Sequence, residues 1–163
     1  MSYAASTSVP VERTRAEIEK IVASKGAGQF MSGLDNDKGL AIIGWTMNGR
    51  MVRLTIPQPR MDEPRFTCRT YKGKVKPWDK RPAVEAVRLW EQACRTRWRG
   101  TLLIIKAKFE AIETGISTFE REFLADTVMA NGQTVGAWVQ PQLEAMYGSG
   151  RMPALLPAHE ESS

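Results

Sequence analysis

Leu40-Ala41-Ile42-Ile43-Gly44-Trp45-Thr46-Met47-Asn48-Gly49-Arg50-Met51-Val52-Arg53-Leu54-Thr55-Ile56-Pro57 is the stretch that decides the fold. Asn48-Gly49 is a strong hairpin signal, because both residues tolerate the positive φ that a two-residue turn demands. After the turn, Val52, Leu54 and Ile56 alternate with Met51, Arg53 and Thr55, so that strand has one apolar and one wet face. Before it, Leu40–Met47 is rich in apolar and β-branched residues, as a strand requires. Pro57 and Pro59 end the second strand. Upstream, Gln29–Ser32 is a short candidate strand and Asp35-Asn36-Asp37-Lys38-Gly39 a turn. Together these segments predict a three-stranded antiparallel meander.

Helices flank the meander. In Val11–Ser24, Glu12, Glu17 and Glu19 suit the first half, Ile18, Ile21 and Val22 form an apolar stripe, and Lys25-Gly26 fits the end. Pro82 suits the first turn of a long helix that runs to about Thr114 and is ended by Gly115. At about 100° per residue, Val84, Val87, Cys94, Trp98, Leu102, Ile105, Phe109 and Ile112 share one face of it, with Glu91 the misfit. Gly100 costs that helix about 1 kcal/mol relative to alanine and suggests a kink or a close crossing. Ser117 or Thr118 caps a helix over Phe119–Asp126, Ser117 with Glu120 making a capping box. Asn131-Gly132 signals a second, small hairpin between Thr127–Ala130 and Gln133–Val135. A last helix covers Gly136–Tyr147 with Pro141 inside it, and Met152, Leu155 and Leu156 are placed to dock on the body.

The predicted class is therefore α+β: an N-terminal helix, an antiparallel three-stranded β meander packed by one long helix (about 82–114), then C-terminal helices with a small hairpin. Residues 1–10 read as a flexible arm, 11–157 as a single domain and 158–163 as a tail. No N-terminal basic-then-apolar leader is present, and the longest apolar run of the basic stretch, Leu102–Ile105, is far short of a membrane span, so a cytoplasmic protein is expected. Cys68 and Cys94 are expected to stay reduced.

Charge is distributed unevenly. Residues 69–108 carry net +9, residues 1–68 net +2 and residues 109–163 net −6. A basic middle with an acidic tail points to phosphate binding, and to contact between unlike surfaces of neighbouring subunits. Residues 57–82 read as one long basic, proline-rich connection, a length that is usually functional or disordered. It holds Arg69, Lys72, Lys74, Lys76, Lys80 and Arg81, with Phe66, Tyr71 and Trp78 between the cations. On the long helix, Arg81, Arg88, Arg95, Arg99 and Lys106 fall within about 20° of one line, beside the apolar face. The alternative is a solvated face paired with its own acids, Glu85 being placed to reach Arg81 or Arg88. Basic grooves with interleaved aromatics suit single-stranded nucleic acid, each stacked base contributing roughly 1–3 kcal/mol. Tyr71 and Trp78 are the stacking candidates; Trp98 belongs to the core, and Phe66 and Trp90 are open.

Catalysis has little support. His159 is the one histidine and lies in the predicted tail, which leaves no Ser–His or Cys–His pair. Two cysteines and that histidine do not make a zinc site, and no phosphate-cradling glycine loop is present. The acids Glu110, Glu113, Glu120, Glu122 and Asp126 are split between helices and read as a solvated face. No cofactor and no metal are expected.

Met47–Pro57, Trp98-Arg99, Leu102–Lys108, Gly115–Leu124 and Asn131–Gly136 together resemble a set of small bacteriophage and prophage proteins, over roughly two-thirds of the chain. That resemblance implies a phage setting and brings no activity with it. The order helix, meander, long basic helix is similar to the β-β-β-α core of phage single-strand annealing proteins. This likeness implies a basic groove, single-stranded DNA as ligand, and subunits in rings or filaments. The expected function is single-stranded DNA binding or annealing in recombination or replication. The rivals are an inhibitor that binds a host nucleic-acid-handling defence complex, and a virion or scaffold component. Expected partners are nucleic acid, a second copy through the acidic third, or a host protein, and no membrane.

Overall fold

The computed structural model describes residues 7–35 and 38–150. Predicted features within 1–6, Asn36-Asp37 of the first turn, the docking of Met152, Leu155 and Leu156, His159 and the 158–163 tail lie outside the described residues. Helix α1 (Val11–Ser24) leads into strands β1 (Gly28–Asp35), β2 (Leu40–Met47) and β3 (Arg50–Pro57), which pair antiparallel in that order. Asn48 and Gly49 take φ of 51° and 70°, the conformation the hairpin signal required. β1 is longer than its sequence suggested, because pairing with β2 continues to Asp35↔Leu40.

Alternation along β2 and β3 gives the sheet its core face. Ala41, Ile43, Trp45, Val52, Leu54 and Ile56 lie there against Ile18 and Val22 of α1. The long helix α3 (Ala83–Glu113) closes the core with Trp98, Leu102, Ile105 and Phe109. In its first turn Val84 is 82% exposed, contrary to the helical-wheel reading, and Ala86 is buried instead. Gly100 has open space where a Cβ would sit, so no close crossing requires it. Thr114 and Gly115 end α3, Gly115 in the left-handed region as a C-terminal glycine should be.

Among the described residues a short α2 (Pro64–Thr67) precedes α3, and two further helices follow it. α4 is Phe119–Phe123, shorter than predicted, and its cap is Thr118, whose hydroxyl accepts from the Arg121 N–H. It delivers Phe123, whose ring meets Trp45 edge-on at 5.5 Å and Phe109 and Phe119 at 5.4 and 5.2 Å. The Asn131-Gly132 turn closes on a single bridge, Val128↔Thr134, rather than on a full hairpin. The chain beside it seals the β3 edge: the Arg53 N–H donates to Asp126 O and the Val128 N–H to Met51 O, both at 2.8 Å. α5 (Val135–Gly148) starts at Thr134, whose hydroxyl accepts from the Ala137 N–H. Gly136 is needed there, since a Cβ would come within 2.9 Å of the Ala125 carbonyl. None of the α5 residues is buried. Among the described residues no helix is long and apolar enough to cross a membrane.

Candidate nucleic-acid interface

The 57–82 connection is not a structureless loop. It folds into α2 (Pro64–Thr67), β4 (Cys68–Tyr71) and β5 (Lys74–Lys80), and the two strands form a separate antiparallel ribbon. The turn is Lys72-Gly73, with φ of 48° and 76°, a mirror-image turn in which lysine stands where asparagine usually does. That substitution, and the prolines on either side, hid the hairpin from a reading based on Asn-Gly. The available signal was Thr70, Tyr71 and Val75, three good strand formers astride a glycine. Pro77 is accommodated because the ladder is broken there: Cys68 faces Lys80, but the next pair is Arg69↔Lys76. Pro77, Trp78 and Asp79 thus bulge from β5.

Buried groups anchor the ribbon root. Phe66 is 5% exposed beneath the Arg65 guanidinium, and Cys68 is 1% exposed. Arg81 is a latch: its backbone N–H donates to Thr67 O, its Nε to Cys68 O at 2.9 Å, and its guanidinium to Glu85 at 2.6 Å. Beyond the root the ribbon is wet. Arg69 opposes Lys76, Tyr71 opposes Lys74, and opposed residues share one face. Lys76 and Lys72 hold their ammonium groups 4.7 and 5.5 Å from the Tyr71 ring centre. Tyr71 is 59% and Trp78 79% exposed. Asp79, at 3.9 Å from Arg69, is the one acid of the ribbon. Lys80 reaches back to the Cys68 sulfur at 3.4 Å.

The helical stripe has a different fate. Arg99 and Lys106 donate to the two oxygens of Glu17 on α1, at 2.7 and 2.8 Å. Lys106 and then Arg99 hold the Glu17 carboxyl below the usual carboxylate range, against a desolvation that works the other way. Arg95 folds onto Gln92 at 2.9 Å and lies 3.8 Å from Glu91. Arg88 alone of the stripe is exposed without an ion pair among the described residues. Part of the register found in the sequence is therefore a seam: Arg99 and Lys106 join α3 to α1, while Arg95 pairs along its own helix and Arg81 latches the ribbon root. Trp98 is core at 2% exposure; Trp90 is half-buried and donates from Nε1 to Pro59 O at 2.8 Å.

Three of the six described acids of the acidic third are ion-paired within the chain. Lys25 meets Glu113, Arg50 meets Glu120 at 2.8 Å, and Lys108 meets Asp126 at 3.3 Å. Among the described residues, no three His, Cys, Asp or Glu side chains are grouped to hold a metal. No family model, curated protein or solved structure matches this chain.

Proposed function

We propose that the protein binds nucleic acid through the β4–β5 ribbon, with single-stranded DNA the favoured ligand and a phage-type role in annealing, recombination or replication as the setting. One observation carries this reading: Arg69 stands directly across the ladder from Lys76, on a projecting ribbon that also exposes Trp78 and Tyr71. Like charges directly opposed destabilise a ladder unless an anion lies between them. Phosphates supply that anion. Arg69, Lys72, Lys74, Lys76 and Lys80 make the phosphate contacts, Arg88 extends them onto α3, and Tyr71 and Trp78 stack on bases. A bare two-stranded ribbon also fits the major groove of a duplex. Two accessible aromatic faces beside the cations favour unpaired bases, because a duplex keeps its bases stacked on one another.

The protein-binding inhibitor ranks second. It relied on the acidic third as a mimic of nucleic acid, and Glu113, Glu120 and Asp126 already have cationic partners in the chain.

Fluorescence anisotropy with labelled single- and double-stranded oligonucleotides over a salt series tests the proposal. The expected result is tighter binding to the single strand, with log affinity falling against log salt by about 0.7 per phosphate contacted. Absence of binding at low salt overturns it.

A further inference from the structure

Gly100 has no structural reason to be glycine. A glycine inside a helix weakens it, and here an added Cβ would meet nothing within 4 Å, so packing does not ask for one. What Gly100 faces is a groove. An open cleft of about 320 Å³ lies where α2 meets α3, at the root of the ribbon. Pro59, Arg65, Thr96, Arg97, Gly100 and Ile104 line it, and among the described residues no carboxylate does.

The groove has one free cation and one fixed cation. Arg97 stands two residues before Arg99, so it points away from the α1 seam. It is exposed, and among the described residues its guanidinium has no ion pair or hydrogen bond. Arg65 is held in place: Glu63 meets its Nε at 2.7 Å, and its guanidinium lies 4.5 Å from the Phe66 ring centre. A guanidinium has five donors, so that ion pair leaves both Nη groups open. Thr96 gives its hydroxyl proton to Gln92 O at 2.9 Å and offers the groove only an acceptor. Anion contact therefore falls to the two arginines. The rest of the wall is apolar: Ile104 is 54% exposed, and Pro59 is fixed by the bond from Trp90.

We infer that this groove is a second nucleotide subsite, in which a strand leaving the ribbon gives one phosphate to Arg97 and the Nη groups of Arg65 and lays the base of that nucleotide on the bare backbone at Gly100, between Pro59 and Ile104. The inference rests on the nucleic-acid reading of the ribbon. Guanidinium donors beside an apolar floor match a phosphate joined to a flat base. A side chain at position 100 would hold the base off the helix, and glycine is the residue that lets a ligand approach the backbone. An acidic peptide would satisfy the arginines but has no flat ring to use that gap.

The test is fluorescence anisotropy over a salt series, with a labelled 20-nucleotide oligothymidylate and the full-length protein. Wild type is compared with Arg97→Gln, Gly100→Leu and a ribbon variant carrying Arg69→Ser and Lys76→Ser. Arg97→Gln should flatten the slope of log affinity against log salt by about 0.7, one phosphate contact. Gly100→Leu should weaken binding by about fivefold or more, the loss of one stacked base. Neither should lower the melting temperature, because Arg97 has no partner to lose and leucine is the better helix former. Wild-type binding by both groove variants, with a slope flattened by the ribbon variant, overturns the groove and leaves the ribbon reading standing. Weakened binding by the groove variants, with the ribbon variant unchanged, keeps the groove and overturns the ribbon. A hexaglutamate peptide that displaces the oligonucleotide from wild type but not from Arg97→Gln would assign the groove to an acidic protein segment and overturn the inference. No binding by wild type at low salt overturns both readings.

Discussion

Arg69 and Lys76 face each other across the β4–β5 ladder, and Asp79 lies 3.9 Å from Arg69. Opposed cations are a cost to the free protein that a phosphate bound between them would relieve. Replacing both by serine should flatten the salt dependence of single-strand binding by about 1.4, two contacts at roughly 0.7 each. The ribbon should stay folded, since the substitution removes repulsion. Anisotropy over a salt series checks the slope, and an unchanged slope would place the phosphates elsewhere.

Trp78 and Trp98 separate the proposed ligand contact from the core. Trp78→Ala removes an exposed ring and should weaken single-strand affinity by about 1–3 kcal/mol while leaving the melting temperature in place. Trp98→Ala empties a core position and should lower stability by about 3–5 kcal/mol. Thermal denaturation and anisotropy on the two variants should give opposite patterns.

Gly73 sets the ribbon turn at φ 76°. Valine there forces a branched side chain into the left-handed region, at a cost of about 1–2 kcal/mol. The ribbon is remote from the main core, so its amides should exchange faster in Gly73→Val while those of α3 keep their protection. Uniformly faster exchange would show the ribbon to be part of the global unfolding unit.

Glu17 joins α1 to α3 by accepting from Arg99 and Lys106. Its native pKa is lowered, so the stability it contributes is present above the ordinary carboxylate pKa and is lost as pH falls through the lower native value. Its side chain is 35% exposed, which screens the pair, so Glu17→Gln should cost about 1 kcal/mol near pH 7. The difference from wild type should shrink below about pH 4. Chemical denaturation at pH 7 and pH 3 measures it, and an equal deficit at both would exclude the charge as its origin.

Arg88 and Arg99 lie in one helical register and have different surroundings. Arg88→Ala should leave stability unchanged and weaken nucleic-acid binding modestly. Arg99→Ala strands part of the Glu17 charge and should destabilise by about 1 kcal/mol with little direct effect on binding. Reversal of this pattern would restore the whole stripe as a ligand surface.

Much of the fold was legible because local chemistry is read locally. The Asn48-Gly49 turn, the alternation over 51–56 and the Ile18/Val22 stripe each act within a few residues, and the hairpin, its pairing and α1 follow from them. The β4–β5 ribbon was less visible: Lys72-Gly73 makes the same turn without the usual residue, and the bulge at Pro77–Asp79 breaks the alternation that would mark β5. The cations and aromatics of the proposed site were read from the sequence on a loop, where the chain forms a ribbon.

The sequence by itself determined which charges share a helical line, because 100° per residue is a property of the backbone. It did not determine what stands opposite that line. Glu17 lies 82 residues from Arg99 and 89 from Lys106, and only the packing of α1 on α3 brings them within hydrogen-bond reach. Periodicity sets the angle of a side chain about its own axis. The partner at that angle is chosen by the burial of Ile18 and Val22 against the sheet and the α3 core, a tertiary event that turns part of a basic stripe into a seam and leaves the ribbon's cations facing solvent.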